Sequence, residues 1–160
     1  VINYICEKNG ATIYQTRIGE PNVTAKLKSI NATVGGEGNG GVIYPKIGWG
    51  RDSLVGMVLA LKHLAETKKK VSDIVATYPS FVMIRDKFKV SDRSEVFTFL
   101  DRVEKHFKDC ELNKEDGVKV LFKDSWLHVR PSNTEPIVRI FIEAPTMEAA
   151  QKIKDDVSAL

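Results

Sequence analysis

The sequence contains little cysteine and little histidine, and its charges nearly balance. It has two cysteines, Cys6 and Cys110, and three histidines in 160 residues, and none of them has the spacing of a metal-binding or CxxC motif. Reduced cysteines are typical of cytoplasmic proteins, so we expect this localisation and no catalytic cysteine. A formal net charge of +3 is too small to indicate a nucleic-acid partner.

Long hydrophobic runs and nucleotide-binding motifs are scarce as well. The longest apolar run, residues 54–61, is interrupted by Gly56 and is too short to cross a bilayer. No GxxxxGK[ST] phosphate loop occurs, and no GxGxxG is followed by an acidic ribose ligand. With 42% hydrophobic and 28% charged residues, we expect a soluble globular protein that has a sizeable core and no membrane partner.

The pattern of elements divides the chain near Tyr78 into residues 1–77 and 78–160. In the first part, short strands at residues 11–16 and 32–34 alternate with helices, which predicts a partial α/β domain with a mostly parallel sheet in a three-layer arrangement. The second part has the pattern of a strand, a helix, three strands and a helix. This order predicts an α+β domain with an antiparallel sheet and two helices on one face.

The strongest helical pattern of the chain follows Asp52, which is placed to cap the helix. Apolar residues recur there at helical spacing, and we expect this stripe to be part of the core. The stripe consists of Leu54, Val55, Val58, Leu61 and either Leu64 or Ala65.

Residues 35–41 contain five glycines, and we expect this loop at the end of a strand. Glycines let the backbone approach a ligand closely and leave Glu37 and Asn39 as the side chains with chemistry. A carboxylate accepts hydrogen bonds from neighbouring hydroxyls and an amide both donates and accepts, so this pair suits a sugar. The alternative is a tight crossing between strands with Glu37 simply exposed. Arg51 either faces this loop or pairs with Asp52.

Residues 130–136, Arg-Pro-Ser-Asn-Thr-Glu-Pro, concentrate hydrogen-bond donors in a turn restrained by two prolines. Arginine binds phosphate oxygens bidentately, and hydroxyls and turn amides supply further donors. Arg139 lies in a strand where Val138 and Ile140 point the other way, so its side chain can reach the same anion. The alternative is an ordinary polar loop between strands. The predicted phosphate site consists of Arg130, Ser132, Asn133, Thr134 and Arg139.

Together, the loop at residues 36–41 and the motif at residues 130–136 closely resemble the C-terminal half of the α-D-phosphohexomutases. That family includes phosphoglucomutase, phosphomannomutase and phosphoglucosamine mutase. The resemblance implies that residues 1–77 are part of the third domain of a longer polypeptide, with its sugar-recognition loop. It implies that residues 78–160 are the C-terminal phosphate-binding domain, whose fold is TATA-binding-protein-like.

The resemblance also implies a reaction and its partners. A phosphoserine enzyme interconverts hexose 1-phosphate and hexose 6-phosphate through a hexose bisphosphate, and Mg²⁺ supports the transfer. The phosphoserine and the metal ligands belong to N-terminal domains that this sequence lacks, so we expect no catalytic residue and no metal ligand here. The implied role is binding, with Glu37 and Asn39 on the sugar and the arginine-containing motif on the non-reacting phosphate. We expect the fragment alone to be inactive.

The sequence departs from the family pattern in the sugar loop. Many relatives have a serine where this chain has Asn39, and a histidine where it has Gly41; some have a histidine where it has Glu20. The choice among glucose, mannose and glucosamine phosphates therefore stays open. The alternative from another functional class is a stand-alone sugar-phosphate-binding module without catalysis.

Overall fold

The computed structural model describes residues 1–90, 92–132 and 135–160, with only the backbone of Arg93. The chain forms two compact units, Val1–Pro79 and Ser80–Leu160. Within the described ranges, no helix combines the length and the apolar character needed to cross a membrane.

The first unit contains four helices and one short hairpin among its residues. Helix α2 begins at Glu20, with Pro21 in its first turn, and ends at Ile30; the C-cap residue Asn31 adopts the left-handed conformation. Asp52 caps α3 as predicted, because its side chain accepts a hydrogen bond of 3.0 Å from the amide of Val55. The elements are α1 (Ile2–Lys8), α2 (Glu20–Ile30), β1 (Gly35–Gly36), β2 (Val42–Ile43), α3 (Ser53–Thr67) and α4 (Val71–Val75).

The core of the first unit is small and joins α2 to the hairpin. Its buried members are Val23, Leu27 and Ile43. Gly35 allows β1 to approach α2, because a Cβ at this position would lie 2.8 Å from a methyl group of Leu27. This packing fixes the strand that leads into the glycine-rich loop.

The mostly parallel sheet predicted for the first unit does not form. β1 and β2 pair antiparallel, with Gly35 opposite Ile43, and no other strand occurs among the residues described there. Residues 11–16 and 32–34 have β-branched side chains, but the described residues offer them no neighbouring strand. Because a strand needs a partner for its backbone hydrogen bonds, local propensity alone did not produce a sheet.

The apolar stripe of α3 is not core, contrary to the prediction. Leu54, Val58 and Leu61 are 68%, 63% and 64% exposed. Helical periodicity identifies which side of a helix is apolar, but it does not reveal whether another layer covers that side. In the described part of this unit, no layer covers the stripe.

The second unit is a five-stranded antiparallel sheet with two helices, as predicted. The strand order is β3-β7-β6-β5-β4, and every neighbouring pair is antiparallel. The short edge strand β4 was not predicted. The elements are β3 (Val82–Lys89), α5 (Arg93–His106), β4 (Glu111–Asn113), β5 (Val118–Leu121), β6 (Trp126–Pro131), β7 (Ile137–Ala144) and α6 (Met147–Ser158).

Both helices of the second unit cover one face of its sheet. Val103 of α5 and Val157 of α6 belong to the same buried cluster as Leu127, Val129 and Ile142 of the central strands. Because side chains alternate along a strand, the residues between them project from the other side. We call that helix-free side the open face. In the two central strands it carries Trp126, His128, Arg130, Arg139, Phe141 and Glu143.

Candidate functional site

Two arginines of the predicted phosphate site lie side by side on the open face. Arg130 in β6 and Arg139 in β7 are register partners. Opposite residues of antiparallel strands project on the same side, with Cβ atoms about 4.5–5.5 Å apart. Two like charges in this position repel each other unless an anion lies between or above them. The structure therefore brings together the two guanidinium groups that the sequence assigned to one anion.

Arg130 is held in a half-buried setting that leaves one donor unused. Its Nε is buried and has no hydrogen-bond partner in the part of the chain that the structure describes. Its guanidinium lies 5.6 Å from the ring centroid of Phe141. Burial lowers the pKa of Arg130, as does the charge of Arg139, and Asp116 acts in the opposite direction. Arginine nevertheless stays protonated, so its Nε–H remains part of a cation and has no acceptor among the described residues.

Arg139 has only a loosely held counter-ion. Its Nη2 donates to Oε2 of Glu135 at 3.3 Å, and the two side chains are 37% and 52% exposed. Exposed ion pairs of this kind contribute about 0–1 kcal/mol. A phosphate could therefore replace Glu135 as the partner of Arg139 at little cost.

The other predicted donors belong to the loop between β6 and β7. The amide of Ser132 donates to the carbonyl of Ile137 at 3.0 Å, which closes the base of the loop next to Arg130. Asn133 and Thr134 lie outside the described residues, so their predicted role stays a prediction.

A turn that precedes β5 supports the backbone of Arg130. Gly117 has a φ of 74°, and a Cβ there would overlap the carbonyl oxygen of Val129 and lie 2.8 Å from the Cα of Arg130. His128 donates from Nε2 to the carbonyl of Asp116 at 2.6 Å. Burial lowers the pKa of His128, so that the neutral ring makes this bond at neutral pH. The contact of this turn with Arg130 had no signal in the sequence.

In the first unit, the structure brings Glu37 and Asn39 together at the tip of the β1–β2 hairpin. Oε1 of Glu37 accepts from the amide of Gly19 at 2.8 Å, and Asn39 Nδ2 lies 3.4 Å from Oε2. Asn39 Oδ1 also accepts from the amide of Gly41 at 3.1 Å. One carboxylate oxygen is thus anchored, and the other remains available to a ligand hydroxyl with the amide of Asn39 beside it.

Arg51 also lies at this hairpin, held by Glu20 and not by Asp52. The Nε and the amide of Arg51 donate to the two carboxylate oxygens of Glu20 at 2.6 and 3.1 Å. These two bonds keep the pKa of Glu20 below its usual value. The side chain of Arg51 lies against Gly41. The pairing crosses a long stretch of sequence and was not predicted.

The described residues do not supply a metal centre. In residues 1–90, 92–132 and 135–160, no group of three or more His, Cys, Asp or Glu side chains is arranged to hold a metal ion. The described residues therefore supply no ligand set for the Mg²⁺ that the family resemblance implies.

Comparison with known families matches both units. Residues 1–81 match the model described as "Phosphoglucomutase/phosphomannomutase, alpha/beta/alpha domain III", and residues 87–160 match "Phosphoglucomutase/phosphomannomutase, C-terminal domain". The chain therefore belongs to the phosphoglucomutase/phosphomannomutase family, which confirms the predicted resemblance and the two-part α/β class. The parallel sheet remains the part of that prediction that the first unit does not contain.

Individual relatives carry three different names. A phosphoglucomutase/phosphomannomutase of Thermococcus kodakarensis is 34% identical over 95% of this chain and 33% of its own length. A probable phosphoglucosamine mutase of Methanopyrus kandleri is 30% identical over 98% and 35%. A phosphomannomutase of Methanocaldococcus jannaschii is 30% identical over 100% and 36%. The chain thus spans about a third of the length of these relatives.

A solved structure supports the same assignment. The crystal structure of a phosphoglucomutase/phosphomannomutase family protein from Burkholderia thailandensis matches with a TM-score of 0.81 and 25% identity. The match covers 99% of this chain and 34% of that one. The fold of both units is therefore a known fold of this family.

Proposed function

We propose that this chain is the substrate-binding part of a phosphohexomutase, an intramolecular phosphotransferase that interconverts hexose 1-phosphate and hexose 6-phosphate. The observation that carries the proposal is the pair Arg130 and Arg139, which face the same side in register while the buried Nε of Arg130 has no partner among the described residues. A phosphate dianion offers the acceptors and the charge that this pair lacks.

In this proposal, each unit has its own binding role. Residues 78–160 hold the non-reacting phosphate through Arg130 and Arg139, with Ser132, Asn133 and Thr134 as further donors. Residues 1–77 bind the sugar hydroxyls through Glu37 and Asn39. The same contacts serve both orientations of the hexose, because a phosphate occupies either end of the sugar in turn.

Fixing the phosphate that does not react is the contribution of these residues to catalysis. Interactions with remote parts of a substrate supply the free energy that positions its reacting end. Such positioning can lower a barrier by about 7–11 kcal/mol at most. The reacting phosphate would be exchanged with a phosphoserine through a bisphosphate intermediate, and Mg²⁺ would support that exchange when bound to the rest of the enzyme.

The proposal assigns the chemistry to preceding domains of the same polypeptide, so that the isolated chain binds but does not react. Two observations support such additional domains: the chain spans about a third of the relatives' length, and the apolar stripe of α3 is exposed.

The two unpaired cysteines support a cytoplasmic location. The relatives' names differ in the sugar, so glucose, mannose and glucosamine phosphates are all candidate substrates.

Calorimetric titration of the chain with glucose, mannose and glucosamine 6-phosphates tests the proposal. We expect Arg130→Gln to weaken binding of each by about 10- to 100-fold, because a hydrogen bond to a charged group contributes about 1.5–3 kcal/mol. Arg102→Gln is the matched control, since Arg102 lies in α5 and donates to the carbonyl of Leu160. If Arg130→Gln bound all three sugars as tightly as the parent chain, the assignment of the phosphate site would be wrong.

A further inference from the structure

β3 adds a third cation to the row formed by Arg130 and Arg139. Lys87 is the register partner of Arg139 in β3, and Arg139 is the register partner of Arg130 in β6. Register partners project on the same side of an antiparallel sheet, with Cβ atoms about 4.5–5.5 Å apart. Lys87, Arg139 and Arg130 therefore lie in one line across three neighbouring strands of the open face.

The ammonium group of Lys87 has no counter-ion among the described residues. The side chain is exposed, and its neighbour Asp86 points to the opposite face, where it pairs with Lys154 at 2.7 Å. Asp86 contacts Lys87 only through the backbone, because its Oδ1 accepts from the Lys87 amide at 2.8 Å. The charge of Lys87 is therefore available on the side of the sheet that carries the two arginines.

Three cations in one line raise the free energy of the sheet unless an anion is present. Like charges directly opposite each other are destabilising, and the charge of Arg139 already lowers the pKa of Arg130. Glu135 neutralises Arg139 only through an exposed pair. A phosphate monoester has three terminal oxygens that accept hydrogen bonds, so one such group could contact all three side chains.

Building on the proposed function, we propose that Lys87 is the third cationic side chain of this phosphate site. Arg130 and Arg139 hold the anion from the central strands, and Lys87 contacts a remaining oxygen from the edge strand. Lysine is a point charge on a flexible stem, so its ammonium group can reach the anion from the edge strand.

The test is a titration with inorganic phosphate at constant ionic strength, using the parent chain and the variants Lys87→Gln, Arg85→Gln and Arg130→Gln. Arg85 is the matched control, because it lies on the same strand and the same face but opposite Phe141, in the neighbouring row. We expect Lys87→Gln to raise the Kd for phosphate about two- to fivefold, because an exposed ion pair contributes little free energy. Arg85→Gln should leave the Kd unchanged. Saturating phosphate should also raise the melting temperature less in Lys87→Gln than in the parent chain.

The variants separate failure of this inference from failure of the proposed function. An unchanged Kd in Lys87→Gln, or an equal loss in Arg85→Gln, would overturn the role of Lys87. If Arg130→Gln still lost binding in that case, the proposed phosphate site would stand. A parent chain that does not bind phosphate at all would overturn both proposals.

Discussion

Arg130 combines the features that an anion site requires in one side chain. It is held over Phe141, its Nε is buried without a partner in the described ranges, and Arg139 projects beside it. Lysine could not replace it, because an ammonium lacks the planar fork that binds two phosphate oxygens at once. The proposed site depends on where this guanidinium is held as well as on its charge.

Gly117 controls that placement through the backbone, and we predict that Gly117→Ala damages the site and the fold together. An L-residue at a φ of 74° costs about 1–3 kcal/mol, and the added Cβ would overlap Val129 and press on Arg130. We expect the free energy of unfolding of the second unit to fall by at least this amount, and phosphate binding to weaken. Chemical denaturation followed by phosphate titration of the folded variant measures both effects.

Gly48→Ala is the control for the alanine substitution itself. A Cβ at Gly48 would meet open space, so the free energy of unfolding of this variant should lie within about 0.5 kcal/mol of the parent's. If Gly117→Ala kept both the parent's stability and its phosphate affinity, the turn would not support Arg130.

At the scale of elements, the second unit followed its sequence pattern more closely than the first. Alternation along β7 correctly placed Arg139 on the other face of the sheet from Val138 and Ile140. Side chains alternate with a period of two, so burying the apolar residues leaves only one assignment of faces. In the first unit, the prediction failed where an element needed a partner from a distant part of the sequence. Residues 11–16 had strand propensity without a partner strand, and Glu20 paired with Arg51 across a distance that no local pattern encodes.

The helix α3 gives the sharpest prediction at this scale. Leu61 is 64% exposed, whereas Leu27 in α2 is 4% exposed. We therefore expect Leu61→Gln to change the stability of the first unit by no more than about 0.5 kcal/mol, and Leu27→Ala to cost about 2–5 kcal/mol. Hydrogen exchange of the α2 amides in the two variants measures the difference.

If the apolar stripe of α3 were part of the core, Leu61→Gln would destabilise the first unit. Fast exchange throughout α2 in Leu61→Gln would show that the stripe is buried in solution. Binding of a hydrophobic dye to the parent chain, reduced in Leu61→Gln, would agree with an exposed stripe.

At the scale of the whole molecule, each unit carries one half of the proposed binding function. The hairpin of the first unit presents Glu37 and Asn39, and the open face of the second presents Arg130 and Arg139.

The most direct test is an NMR titration of the 160-residue chain with inorganic phosphate, observing backbone amides and arginine Nε–H groups. The anion site predicts saturable shifts concentrated at Arg130, Ser132 and Arg139, with a downfield shift of the Arg130 Nε–H as it gains an acceptor. Shifts spread evenly over the surface lysines, with the Arg130 signal unmoved at saturation, would contradict it.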